Sequence, residues 1–124
     1  MDSDDLKLRT KQLSLRILNL VDHLPRSTKG RVIADQLARA GTSVGANYRA
    51  ACRARSKAEF VSKLGIVIEE ADECSFWIEL ILDGGILDRD LVQSLWDETD
   101  QLISIMTASR KTAQHSLQKG KRTI

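Results

Sequence analysis

The chain of 124 residues predicts an all-α fold, an antiparallel up-down-up-down four-helix bundle. Three observations carry that expectation. Apolar residues recur at alternating steps of three and four over most of the length, as on the buried edge of a bundle helix. The alternation of β-branched residues that marks strands is absent. A lone proline, Pro25, and a few glycines divide the periodic pattern into segments of bundle length. The size suits one domain with a single core.

Helix one is expected from near Asp4, with Asp2 and Asp5 favouring the positive end of the helix dipole, and it buries Leu13, Ile17, Leu20, Val21 and Leu24. Pro25 ends it, because its ring cannot continue the hydrogen-bond ladder. Ser27 or Thr28 caps helix two, which runs to about Arg55 with a seam of Ile33, Leu37, Ala40, Val44, Asn47, Ala51 and Ala54. Asn47 is the one amide in that seam, and a buried amide needs a partner, so it is expected to fix packing register. Gly41 and Gly45, four apart inside a helix, are read as a place of close helix contact.

The Ser56 to Glu59 spacing fits a capping box and places a reversal there. A single uninterrupted helix over 31–82 is the competing reading. Helix three then buries Phe60, Leu64, Val67, Ala71, Cys74, Ile78 and Ile81 until Asp83, Gly84 and Gly85 stop it. Helix four begins around Asp88 and buries Leu91, Val92, Leu95, Thr99, Leu102 and Met106. From Gln114 onward the chain turns polar and basic, and this tail is expected to fray.

The net charge of +2 conceals a segregation along the chain. Residues 31–57 hold six Lys or Arg against one acid, and residues 58–100 hold two against twelve. At about 100° per residue, Arg31, Arg39, Arg49 and Arg53 fall in one sector of helix two, away from its seam. Arg55 and Lys57 continue this basic surface at the corner, and Arg110 and Lys111 begin the basic end of helix four. Neutralisation between helices of opposite charge in an assembly and a surface facing nucleic acid both fit the pattern.

Helix three has a second apolar strip, Ile66, Trp77 and Leu80, with Phe76 beside it and Glu59, Glu70 and Glu73 along its flank. Self-association through Ile66, Glu70, Glu73, Trp77 and Leu80 would cover it. Alternatively Trp77 folds down over a neighbouring seam, leaving Ile66 and Leu80 partly exposed. The glutamates are natural partners for Arg39, Arg49 or Arg53, within or between subunits.

No catalytic constellation can be assembled. His23 and His115 lie near opposite ends of the sequence, and Glu69, Glu70, Asp72 and Glu73 have no histidine beside them. Cys52 and Cys74 stand singly, without the spacing of a metal site. Neither an enzyme nor a cofactor is expected. The acidic start has none of the features of a secretory signal, and charge interrupts every apolar run well before about 20 residues, so a cytoplasmic protein with no membrane contact is expected.

The segment QLARAGTSVGANYRAACRARSKAEFVSKLGIVIEEADECSFWIELI, with LISIMTASRKTA further on, resembles the bacterial four helix bundle family known as 23S ribosomal-RNA intervening-sequence proteins. Gln36, Leu37, Arg39, Ser43, Val44, Asn47, Tyr48 and Arg49 form one matching block; Ser56, Phe60, Lys63, Leu64, Glu70, Ala71, Glu73 and Trp77 form another. Where many relatives carry a glutamate after the Tyr-Arg pair, this chain has Ala50, so no role of that acid carries over. The resemblance implies a left-handed up-and-down bundle assembling as a homopentamer. The chain is also similar to accessory variability determinant proteins of diversity-generating retroelements, which implies a reverse transcriptase partner and RNA or DNA binding through a basic surface.

Two functions follow as expectations. In the first, an oligomeric accessory protein holds the RNA or DNA backbone through Arg31, Arg39, Arg49, Arg53, Arg55, Lys57, Arg110 and Lys111, with Tyr48 the one aromatic placed to stack on a base. In the second, the arginines serve subunit contacts and the protein is a scaffold for another protein.

Overall fold

A computed structural model describes residues 1–122 as four helices, α1 Ser3–Val21, α2 Thr28–Cys52, α3 Lys57–Asp83 and α4 Arg89–Arg122, with no strand among the described residues. They share one core and are compatible with a four-helix bundle. The α2–α3, α3–α4 and α1–α2 seams are extensive, whereas α1 and α4 touch more sparingly.

Each boundary has a local chemical cause. At the start of α1, Asp2 Oδ1 accepts from the Asp5 amide at 2.9 Å and the Asp5 carboxylate reaches back to the Asp2 amide, satisfying two otherwise orphaned donors. The helix stops at Val21, one turn before Pro25, and the buried Leu24 plugs the connection. Ser27 then caps α2 through the Gly30 amide. Gly30 is required by close approach, since a Cβ there would collide with the Pro25 carbonyl.

The α2 helix ends at Cys52 rather than near Arg55, and the turn over 53–56 rules out one continuous helix from 31 to 82. Ser56 Oγ accepts from the Glu59 amide at 3.1 Å, as a capping box requires, but Glu59 returns its carboxylate to the Arg55 amide instead of that of Ser56. At the other end of α3, the Ile86 amide reaches Ile81 O and the Gly85 amide reaches Leu82 O, with Gly85 at φ +60. These are the two bonds of a Schellman ending, and the left-handed position takes glycine because a Cβ would be strained there. The α4 helix continues to Arg122, past the point where fraying is expected; residues 123 and 124 of the tail lie outside the described residues.

The core is largely the expected one, but Val21, Asn47, Ala54, Phe60 and Leu91, all expected inside, are half-buried or exposed. In α2 the seam passes from Val44 to Tyr48, which is 3% exposed, while Asn47 is half-buried and donates to Ser43 O in its own helix. Asn47 therefore does not specify register between helices. An α-helix turns every 3.6 residues, so a strict 3.5 repeat drifts off the buried line and the next residue replaces it. In the first turn of α3 Val61 is buried and Phe60 is half-buried against the core, and Ala54, in the turn after α2, is half-buried. Leu91, expected inside together with Val92, is 53% exposed, and of the two only Val92 is in the core.

Close contact at Gly41 and Gly45 brings α1 against α2. Ser14 Oγ donates to Gly41 O at 2.7 Å, and a Cβ on Gly41 would come within 2.6 Å of the Ile17 side chain.

Candidate nucleic-acid interface

The cations singled out in the sequence have different fates. Arg31 and Arg49 on the outer side of α2, and Arg53 just past its end, are exposed, and their guanidinium groups have no hydrogen-bonding or ion-pair partner among the described residues. Arg31 and Arg49 are five full turns apart, so they lie in line at a separation of about 27 Å along the axis. Arg53, the cap residue after Cys52, follows Arg49 at the end of the helix. Asp35 is the lone carboxylate of α2 and is exposed. Arg55 and Lys111 are likewise exposed, with no side-chain partner among the described residues.

Three of the expected cations are engaged. Arg39 is rotated toward α3, where it meets Glu70 at 3.2 Å and binds Glu73. The hydrogen bond from Arg39 holds the Glu73 carboxyl below its usual range, and the same bond raises the Arg39 guanidinium. Glu70 and Glu73 therefore meet an arginine of their own chain. Lys57 Nζ donates to Ser116 Oγ at 2.7 Å. Arg110 is half-buried: its Nε donates to Val61 O at 2.9 Å, and the guanidinium lies over Gly65, where a Cβ would come within 3.3 Å. It joins α4 to α3.

Tyr48 is not available for base stacking. Its ring is in the core, and burial pushes its phenol well above the usual range. Cys74 is likewise inert, its thiol pushed up to about 12 by burial.

One group of cations escapes a reading of α2 alone. Lys7 and Lys11 of α1 meet Arg49 around a depression of about 200 Å³ whose remaining walls are Ser14, Gly45 and Ala46. The i, i+4 spacing of the lysines was the available signal. Its relation to Arg49 depends on how α1 packs on α2.

The second apolar strip divides. Ile66, Leu80 and Phe76 are exposed, whereas Trp77 is half-buried against the core, edge-on to Phe76 at 5.4 Å between ring centroids. Between the start of α2 and the end of α3 the strip broadens into an apolar groove lined by Val32, Ile33, Trp77, Leu80 and Ile86. An exposed row on α1, Leu8, Leu15 and Leu18, is an apolar feature the sequence reading did not single out. No cluster of three or more metal-ligating side chains occurs among the described residues, and no described helix is long and apolar enough to cross a membrane.

The family model for 23S rRNA-intervening sequence proteins matches residues 5–108, spanning most of all four helices. The chain belongs to that family. A crystal structure of a protein of unknown function from the S23 ribosomal protein family of Bacteroides thetaiotaomicron is similar at a TM-score of 0.81 and 32% sequence identity, covering 90% of this chain and 99% of that one. A comparison with curated proteins found no match. Membership in the intervening-sequence family thus accounts for the helical fold, and neither the family description nor this neighbour indicates an enzymatic activity.

Proposed function

We propose that this intervening-sequence family protein is a non-enzymatic, homo-oligomeric accessory protein that holds RNA or DNA by its phosphate backbone. The observation that carries the reading is the row Arg31, Arg49 and Arg53, exposed and without carboxylate partners among the described residues, along the outer side of α2 and at its end. Within the chain Arg39 is held by Glu70 and Glu73, whereas these three are left to meet anions outside it. Arg55 and Lys111 belong to the same basic surface. Lys57 and Arg110, tied to Ser116 and Val61, contribute less.

With Tyr48 in the core, that surface offers no aromatic platform, so contact is with phosphates and sequence preference is weak. The bundle is antiparallel, up-down-up-down and left-handed. Its copies associate as a ring, a pentamer by the family resemblance, through Ile66, Leu80 and the exposed edge of Trp77. Glu70 and Glu73 border that interface while holding Arg39. Repetition of the arginine row around a ring multiplies modest contacts by avidity. A reverse transcriptase is the proposed protein partner.

The test is retention of a labelled single-stranded RNA and a DNA duplex by wild type and by R49E/R53E, measured at two salt concentrations. The reading expects tenfold or greater loss in the variant and steep weakening with salt in wild type. Equal retention by both proteins would remove the function. The competing scaffold reading expects R49E/R53E to fall apart into smaller particles.

A further inference from the structure

We infer that the depression between α1 and α2, walled by Lys7, Lys11 and Arg49, seats one backbone phosphodiester of the bound nucleic acid. This rests on the proposed function and gives it a defined contact.

The geometry follows from the packing of α1 on α2. Ser14 donates to Gly41 O, and a Cβ on Gly45 would come within 2.9 Å of Ser14 Oγ, so the helices approach closely and the floor of the depression is made of small groups. The volume of about 200 Å³ exceeds that of a phosphate group and leaves room for part of the adjoining sugar. Lys7 and Lys11 stand one turn apart on one wall, and Arg49 stands on the other.

No carboxylate lines the depression among the described residues. Lys7 touches Asp4 at 3.3 Å, but that carboxylate is 88% exposed, and a pair of this kind is easily exchanged for a phosphate. The Ser14 hydroxyl already faces the Gly41 and Thr10 carbonyls, so it is no anion donor. Recognition is thus by three cations and by shape, which suits a phosphodiester irrespective of base.

The position of Arg49 extends the inference. It belongs both to the exposed row on α2 and to this depression, so a strand following the row passes next over α1. Lys7 and Lys11 then become part of the binding surface, although their helix shows no excess basic stripe in sequence.

The experiment is the salt dependence of affinity for a fluorescein-labelled 20-nucleotide RNA, for wild type, K7Q/K11Q and A46L. Loss of one phosphate contact lowers the log–log salt slope by roughly 0.7 for a single strand. K7Q/K11Q is expected to lose that much slope and about five- to tenfold in affinity at low salt. Ala46 is exposed on α2, so leucine there narrows the depression without entering the core or removing a charge. A46L is expected to weaken binding several-fold. An unchanged slope for K7Q/K11Q overturns the assignment, and so does full affinity in A46L. Displacement of the RNA by inorganic phosphate at matched ionic strength, seen in wild type but not in K7Q/K11Q, would instead make this a site for free phosphate. If R49E/R53E loses the RNA while K7Q/K11Q and A46L bind normally, only this inference fails; if R49E/R53E also binds normally, the proposed function fails with it.

Discussion

Arg39 and Gly41, two residues apart on α2, show how differently neighbouring positions serve the protein. Arg39 ties α2 to α3 through Glu70 and Glu73, and its main effect is on the Glu73 carboxyl, whose proton affinity it lowers. A depressed carboxyl contributes stability above its unfolded value, about 4.5, and that contribution is lost as pH falls through the folded value. Arg39→Gln should therefore lower Tm slightly near neutral pH, and its difference from wild type should shrink below about pH 4.5, in thermal unfolding followed by circular dichroism. A pH-independent difference would mean that the pair does not couple to protonation. Gly41 is a packing residue. Gly41→Val should cost about 2 kcal/mol or more, because Ile17 is fully buried and cannot move aside. Urea unfolding at an unchanged slope with a lower midpoint is the expected signature. The close contact at Gly41 could be read from sequence, since glycine four residues from glycine inside a helix has few other reasons. That Arg39 would reach across the surface to α3 could not, because the rotation of α2 relative to α3 is a property of the pair.

The helices were legible because their ends carry local chemistry. Ser27, Ser56 and the Gly84-Gly85 pair act within a few residues of themselves, so their effects do not wait on tertiary structure. Ser56→Ala and Gly85→Ala should each cost about 1 kcal/mol in the same urea experiment, the first by freeing the Glu59 amide and the second by straining a left-handed residue. Gly85→Ala should leave nucleic-acid affinity unchanged, because Gly85 lies at the far end of α3 from the basic corner. The buried faces were less exactly legible. A run of threes and fours admits a slip by one position, which is why Tyr48 displaced Asn47. The slip matters for function, since it turns the expected stacking aromatic into a core residue. Lys7 and Lys11 were missed for a related reason: their meaning arises only where α1 meets α2.

At the scale of the whole molecule, cations and apolar side chains left at the surface divide the labour proposed for it. The exposed α3 residues Ile66 and Leu80 are assigned to association, and the unpaired arginines of α2 to nucleic acid. The two roles should separate by mutation. Ile66→Asp with Leu80→Asp is expected to yield smaller particles by light scattering, with each folded copy still binding RNA more weakly through lost avidity. An unaltered particle mass would show that another surface joins the copies. The most direct measurement is sedimentation velocity of R49E/R53E mixed with a fluorescent RNA, recording protein and RNA separately. Protein sedimenting as in wild type while the RNA sediments alone is the predicted result. RNA moving with the protein, or protein reduced to a slower species, would contradict a guanidinium row that is free of subunit contacts and directed at phosphates.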